Sequence, residues 1–335
     1  MRKGLLVLAI VVALLGVAVG VGVGWYREML RPVRAGGDAR VVHIVEGSGS
    51  AGTAELLQSE GLIRDARGFR VMLALTGLGD ELKAGHYELA PTMSARAIAE
   101  KIASGEVATR RITIPEGLRL EQIAQRMAEA ELVASAEEFL AAAVPATVAD
   151  AVEMPLPQGT LEGYLFPETY DFTYDDGAGA IVVRMVRELQ SRFVAPNREA
   201  IAARGLSLHE IITLASLVER EAKVERERAL IAGVIHNRLD RGMKLQIDAT
   251  VQYALPEHKP RLTFEDLRVQ SPYNTYLHAG LPPGPIAAPG LASLMAALQP
   301  AHTDALFYVA RPDGTHVFTP TYEEHLRAID QIRGG

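Results

Sequence analysis

The stretch SLHEIITLASLVERE, residues 207–221, opens with a capping box. The Ser207 side chain can accept from the amide of Glu210 while the Glu210 carboxylate returns to the amide of Ser207, which fixes a helix start. At 100° per residue the apolar positions cover a broad arc, from Leu217 and Leu214 through Val218, Ile211 and Ala215 to Leu208 and Ile212. Most of this helix is therefore expected to be buried, as the centre of a folded body. Glu219 falls between Leu208 and Ile212 near one end of the arc, and Glu221 between Glu210 and Leu214 near the other. Both border the core, and the wheel slightly favours Glu219 as the drier group. A carboxylate among apolar neighbours must be paired or protonated. An ion pair with an Arg or Lys of a neighbouring helix and a general acid held protonated near neutral pH both satisfy that demand, and spacing does not separate them.

Downstream, a helix is expected over about 225–241, stopped by Gly242, and then GMKLQIDATVQY at 242–253. Leu245 and Ile247 alternate there with Gln246 and Asp248, so the polar pair shares one face of a short extended segment. Proline, aromatic and amide residues concentrate in GYLFPETY (163–170), SPYNTY (271–276) and GLPPGPIAAPG (280–290). Rigid loops of this composition suit a polar-ligand site, with Gln246, Asp248, Tyr273, Asn274 and Tyr276 as candidates for binding a saccharide.

Upstream, Val45-Glu46-Gly47 recurs without a gap as Pro115-Glu116-Gly117, Ala54 as Ala124, Leu57 as Met127, Leu62-Ile63 as Leu132-Val133 and Phe69 as Phe139. Each copy reads as strand, Glu-Gly turn, amphipathic helix and a short loop into a second helix. With Gly85–Leu89 reading as a strand and Ser94–Ser104 as a capped helix, the fold class is α+β. Residues 35–40 read as a tether, and a boundary is expected near 155.

At the N-terminus, the uncharged run between Lys3 and Arg27 can cross a hydrocarbon core of about 30 Å, with Trp25 and Tyr26 at an interfacial position. It outlasts the apolar region of a cleaved signal peptide, so an uncleaved transmembrane helix is expected. Arg2 and Lys3 precede it and Arg27, Arg31 and Arg34 follow it, so local charge does not orient it. The 335 residues carry a net charge of -7 and no cysteine. This excludes disulfides and thiolate metal sites and gives no footprint for nucleic acid.

Taken together, the motifs at 163–170, 214–222, 242–253, 271–276 and 280–290 resemble the MltG-type (YceG-like) endolytic murein transglycosylases, from the anchor to His316-Val317-Phe318. The resemblance implies a cytoplasmic tip at 1–3, a transmembrane helix at 4–26, a tether at 27–40 and a LysM-like module at 41–110. A second β-α repeat unit with a helical connector follows at 111–154 and a catalytic domain at 155–335. It implies a plasma (inner) membrane protein with its body periplasmic or extracytoplasmic. It also implies a lytic transglycosylase, a carbon–oxygen lyase. This would cut the β-1,4 bond between N-acetylmuramic acid and N-acetylglucosamine within nascent strands, leaving a 1,6-anhydro end and limiting strand elongation. The family's catalytic glutamate matches Glu219. Peptidoglycan strands and the synthases of elongation or division are the expected partners; no cofactor and no metal are called for.

Two rival functions differ in class: a hydrolytic muramidase with Asp248 or Glu221 activating water, and a non-catalytic membrane-tethered glycan-binding scaffold for cell-wall synthases. A metallohydrolase lacks its motif, since His209-Glu210 has no second His at the HExxH spacing. Ser216 sits in no nucleophile elbow.

Overall fold

The computed structural model describes residues 2–334; Met1, the first residue of the expected tip, lies outside them. The chain divides into two compact units, one of residues 1–110 with 173–175 and one of residues 111–172 with 176–335. The segments 111–154 and 155–335, apart from 173–175, fall in one unit.

In the first unit, helix α1 (Arg2–Met29) carries an apolar stretch, Ile10–Met29, long enough to cross a membrane and with none of it buried. Strand β1 (Arg40–Ile44), helices α2 (Gly49–Ser59) and α3 (Ala66–Thr76), strand β2 (Gly85–Leu89) and helix α4 (Ala95–Ser104) follow. β1 and β2 pair antiparallel, with His43 opposite His86. Val42 and Ile44 turn inward with Tyr87 and Leu89 onto Leu57, Phe69, Met72 and Ile98, which form this unit's core.

The second unit takes in strand β3 (Thr109–Thr113) from Arg111 onward, then helices α5 (Leu120–Glu129), α6 (Ala136–Ala142) and α7 (Pro145–Val148). Strand β4 (Thr169–Thr173), hydrogen-bonded to β3, and helices α8 (Ala178–Leu189) and α9 (Arg198–Ala203) come next. Helices α10 (Leu208–Glu221), α11 (Arg228–Asp240), α12 (Asp248–Ala254) and α13 (Leu291–Leu298) surround the site described below. An antiparallel pair, β5 (Phe307–Ala310) and β6 (His316–Thr319), and helix α14 (Tyr322–Gly334) complete the chain. Fold class is thus mixed α+β.

The seventy-residue repeat is visible as three-dimensional likeness. α2–α3 and α5–α6 are equivalent helix pairs, and Ala54, Leu57, Leu62, Ile63 and Phe69 are buried in one copy as Ala124, Met127, Leu132, Val133 and Phe139 are in the other. The Glu-Gly turns share a left-handed glycine, Gly47 at φ 80° and Gly117 at φ 78°. After the first helix the same conformation falls on Gly61 (φ 63°) in one copy and Glu131 (φ 57°) in the other. The second copy therefore tolerates a side chain where L-residues are disfavoured, because the geometry is set by the packed helices on either side.

α10 is the central helix of the larger core. The capping box forms as the sequence predicts, with Glu210 N–H donating to Ser207 Oγ at 3.2 Å and Ser207 N–H to Glu210 Oε2 at 2.8 Å. Every residue from Ile211 to Val218 is buried, including Thr213 and Ser216. The two hydroxyls are satisfied by back-bonding to the carbonyls of His209 and Thr213. Ser216 Oγ also accepts from Ile286 N–H at 3.1 Å, which pins the proline-rich 280–290 loop against the helix.

Candidate active site

Two residues apart on a helix means about 200° around its axis, so Glu219 and Glu221 leave the last turn of α10 on opposite sides. They meet very different surroundings. The Glu219 side chain, 7% exposed, pairs with Arg228 Nη2 at 3.2 Å. Its Oε2 accepts from Gly290 N–H at 3.0 Å and from Ser293 Oγ at 2.8 Å. Gly290 is the N-cap of α13, so the carboxylate occupies the place where a helix N-terminus presents unpaired amides and positive potential. Arg228 also reaches Glu116 of the second Glu-Gly turn, at 3.5 Å. The Glu116 carboxyl lies so close over Gly290 that a Cβ there would displace it from its place beside Arg228. Burial, and then the neighbouring Glu219, push the Glu116 carboxyl above its ordinary pKa, while Arg228 opposes the shift.

Glu221 instead lines a cavity of about 370 Å³ with Gln246, Asp248, Tyr276, Arg238 and Tyr308. Among the described residues its side chain accepts a hydrogen bond from Tyr308 Oη on β5, at 2.8 Å. Burial raises its pKa, and the nearby negative charge of Asp248 adds to the rise; the Tyr308 hydrogen bond, His316 and Arg220 act the other way. Burial likewise raises the Tyr276 and Tyr308 phenols, so both remain O–H donors at neutral pH.

The cavity wall is built from the alternation at 245–248: Leu245 and Ile247 are buried, and Gln246 and Asp248 face out. Rather than continuing extended, the chain turns into α12 at Asp248. Gln246 holds a left-handed φ of 53°, a conformation that costs a non-glycine residue about 1 kcal/mol or more. Buried bonds hold it there: Gln246 N–H to the Thr275 carbonyl (3.2 Å), Ile247 N–H to Thr275 Oγ1 (3.0 Å) and the Thr250–Thr275 hydroxyl pair (2.9 Å). Tyr276 Oη donates to Asp248 Oδ1 at 2.6 Å. Arg238 is fixed by the carbonyls of Leu306 and Leu245 and lies over the Phe307 ring at 5.1 Å.

Of the residues expected at one site, the structure therefore brings together Gln246, Asp248 and Tyr276, and it does so around Glu221. Glu219 faces away from them. Asn274 is fully buried, and its amide organises the loop by donating to the carbonyls of Leu267 and Val269 and accepting from Tyr276 N–H. Tyr273 points to a second cavity, also of about 370 Å³, lined by Glu162, His209 and the 283–285 prolines and glycine. Tyr308 and Arg238 were not anticipated. The sequence marks the segment around His316-Val317-Phe318, but its pairing with Phe307–Ala310, which delivers Tyr308, has no local signature.

Comparison with known proteins fits this architecture. The profile of the YceG-like family matches residues 42–331. The chain belongs to the YceG-like family. Among curated proteins, the endolytic murein transglycosylase of Bacillus subtilis is 34% identical over 91% of this chain and 88% of its own length. That of Streptococcus pneumoniae D39 is 30% identical over 92% of this chain, which spans only 61% of that longer relative. A crystal structure of a YceG-like protein from Listeria monocytogenes, 35% identical, superposes with a TM-score of 0.58 over 88% of this chain and all of that one.

In this YceG-like chain the second cavity has its own carboxyl. Both carboxyl oxygens of Glu162 accept from Leu120 N–H at the start of α5, at 3.1 Å, Tyr253 Oη approaches Oε2 at 3.5 Å, and burial lifts the pKa to about 7. His209 Nε2 lies 2.9 Å from the Pro283 carbonyl, which only accepts, so Nδ1 is the acceptor for Tyr164 Oη at 3.1 Å.

Proposed function

We propose that this chain is an endolytic murein transglycosylase in which Glu221 is the acid and base. The activity named for the relatives from Bacillus and Streptococcus supports the reaction class. The observation that carries the residue assignment is Glu221's place in a cavity with Gln246, Asp248 and Tyr276, with burial raising its pKa. Glu219, expected from the resemblance, has its oxygens engaged by Arg228, Gly290 and Ser293.

Protonated Glu221 donates to the oxygen linking C1 of N-acetylmuramic acid to the next N-acetylglucosamine. The C1–O bond breaks with its electron pair moving to that oxygen, and positive charge develops at C1. The C6 hydroxyl of the same sugar attacks C1, and its proton returns to the Glu221 carboxylate. Atoms balance without water: one strand gains a free 4-hydroxyl and the other a 1,6-anhydro end. Because the nucleophile belongs to the substrate, one carboxyl serves in both steps, and the paired carboxylates of ordinary glycosidases are not needed. Asp248 has two effects: its charge favours the protonated form of Glu221, and it can stabilise positive charge at C1. Gln246 and Tyr276 would position the sugars. The reaction is that of a carbon–oxygen lyase.

The apolar stretch of α1 supports a membrane anchor, the proposed substrate would put the body on the peptidoglycan side, and cutting nascent strands there would bring the enzyme beside the synthases that extend them. The order strand–helix–helix–strand of β1, α2, α3 and β2 supports a LysM-like module. Mass spectrometry of purified glycan strands after digestion tests the reaction. Anhydro ends are expected; products with reducing ends alone would mean a hydrolase, and intact strands would favour the scaffold.

A further inference from the structure

We propose that His43, His86 and Asp175 form a binding site for a divalent transition-metal ion such as Zn²⁺, in the first unit and independent of the cleavage chemistry. The nine histidines are scattered in sequence, and none forms a chelating pair along the chain at helical spacing. Folding pairs two of them. In the β1–β2 register His43 stands directly opposite His86, on the face turned away from the core. Their imidazoles stack with centroids 4.1 Å apart and planes within 5° of parallel. Asp175 reaches the pair from the far end of the unit's sequence. Its Oδ2 accepts from His86 N–H at 3.1 Å and its Oδ1 from His86 Nδ1 at 2.7 Å.

One potential ligand atom from each side chain lies within 4.8 Å of the other two. In a tetrahedral zinc site with bonds near 2.0–2.1 Å, ligand atoms stand about 3.4 Å apart. The rearrangement needed is a small rotation of three side chains that are exposed or half-buried, and the backbone bond to Asp175 already fixes its approach. Two imidazoles and one carboxylate select a borderline cation such as Zn²⁺, Ni²⁺ or Cu²⁺ over Mg²⁺ or Ca²⁺, which prefer all-oxygen sites. On binding, the metal replaces the proton shared by His86 and Asp175, and that proton is released to solvent. Water completes the coordination sphere.

The test uses the full chain in detergent, stripped with chelator and titrated with ZnCl₂ by calorimetry, with bound metal counted by elemental analysis. One equivalent of zinc is expected, with a rise in the unfolding temperature. The variants His43→Ala and His86→Ala should each lose that equivalent, and Asp175→Asn should bind at least tenfold more weakly, all with unchanged circular dichroism. Loading with Cu²⁺ gives an independent readout: nitrogen hyperfine structure in the electron paramagnetic resonance spectrum that His86→Ala alters. No bound zinc in the wild type, or an equivalent that survives the His43→Ala/His86→Ala double variant, overturns the proposal.

Discussion

Glu219 and Glu221 share one helical turn, yet one closes a structural joint and the other opens into a cavity. The Glu219 side holds α10, α11, α13 and the 115–117 turn together: Arg228 bridges it to Glu116, the α13 N-terminus caps it, and Arg220 Nη1 donates to the Gly117 carbonyl at 3.0 Å. The Glu221 side accepts from the Tyr308 phenol and faces a polar cavity. The contrast shows that dryness alone does not identify an acid. A buried carboxyl surrounded by donors contributes to stability, whereas one with few donors and an open approach can exchange a proton with a ligand.

The largest expected effect separates the two directly. Glu221→Gln removes the transferable proton but keeps the shape and the Tyr308 contact, and should lower strand cleavage by about 10²–10⁴-fold. Glu219→Gln, measured in the same product assay, should retain most of the activity of its folded fraction. If the order reverses, with Glu219→Gln inactive while folded and Glu221→Gln active, the assignment falls and Glu219 is the acid.

Stability should invert that ranking. Glu219→Ala breaks a pair whose side chains are 7% and 13% exposed and uncaps α13, at a cost of about 3 kcal/mol in denaturant unfolding. Arg228 keeps only Glu116, so the double variant Glu116→Ala/Glu219→Ala should cost more than either change alone. A loss below about 1 kcal/mol for Glu219→Ala would mean the joint is not structural.

Glu162 is an intermediate case that sharpens the comparison: it is buried, held by the Leu120 amide with Tyr253 Oη at 3.5 Å, and its pKa is raised from 4.5 to about 7. Its folded pKa lies above its unfolded value, so the native state holds the proton more tightly. Its contribution is fully present below pH about 4.5 and is lost as pH rises to about 7. Over that window it should cost about 3 kcal/mol of stability. Glu162→Gln, which keeps an acceptor for Leu120 N–H, should remove this share of the pH dependence. Parallel stability profiles for variant and wild type would show that Glu162 does not titrate there.

What could be read in the sequence follows from how local each cause is. The α10 capping box, the seventy-residue repeat and the 245–248 alternation are short-range patterns, and each appears in the structure where the residues place it. The choice between two glutamates depends on partners 9 to 87 positions away, Arg228, Ser293 and Tyr308 among them. A helical wheel registers apolar neighbours on its own helix and has no information about donors arriving from α11, α13 or β5. The same limit applies to SPYNTY. Its composition marked a site loop, but only the fold shows that Asn274 is its internal brace while Tyr273 and Tyr276 serve different cavities.

The finest test concerns the two groups that set the proton affinity of Glu221. Cleavage needs the protonated form at the start of the cycle, so the rate should fall as pH rises through the raised pKa of Glu221. Tyr308→Phe removes a hydrogen bond that favours the carboxylate, so this alkaline limb should move to higher pH. Asp248→Asn removes a like charge that favours the protonated form, so the limb should move to lower pH. Tyr276 can still donate to the amide oxygen of the new residue, so the cavity wall is retained. Opposite displacements from two isosteric changes cannot come from a general loss of structure, which would lower the plateau without moving the limb. If both variants leave the limb in place, while Glu116→Gln moves it, the titrating group is on the Glu219 side and the comparison between the two carboxylates must be redrawn.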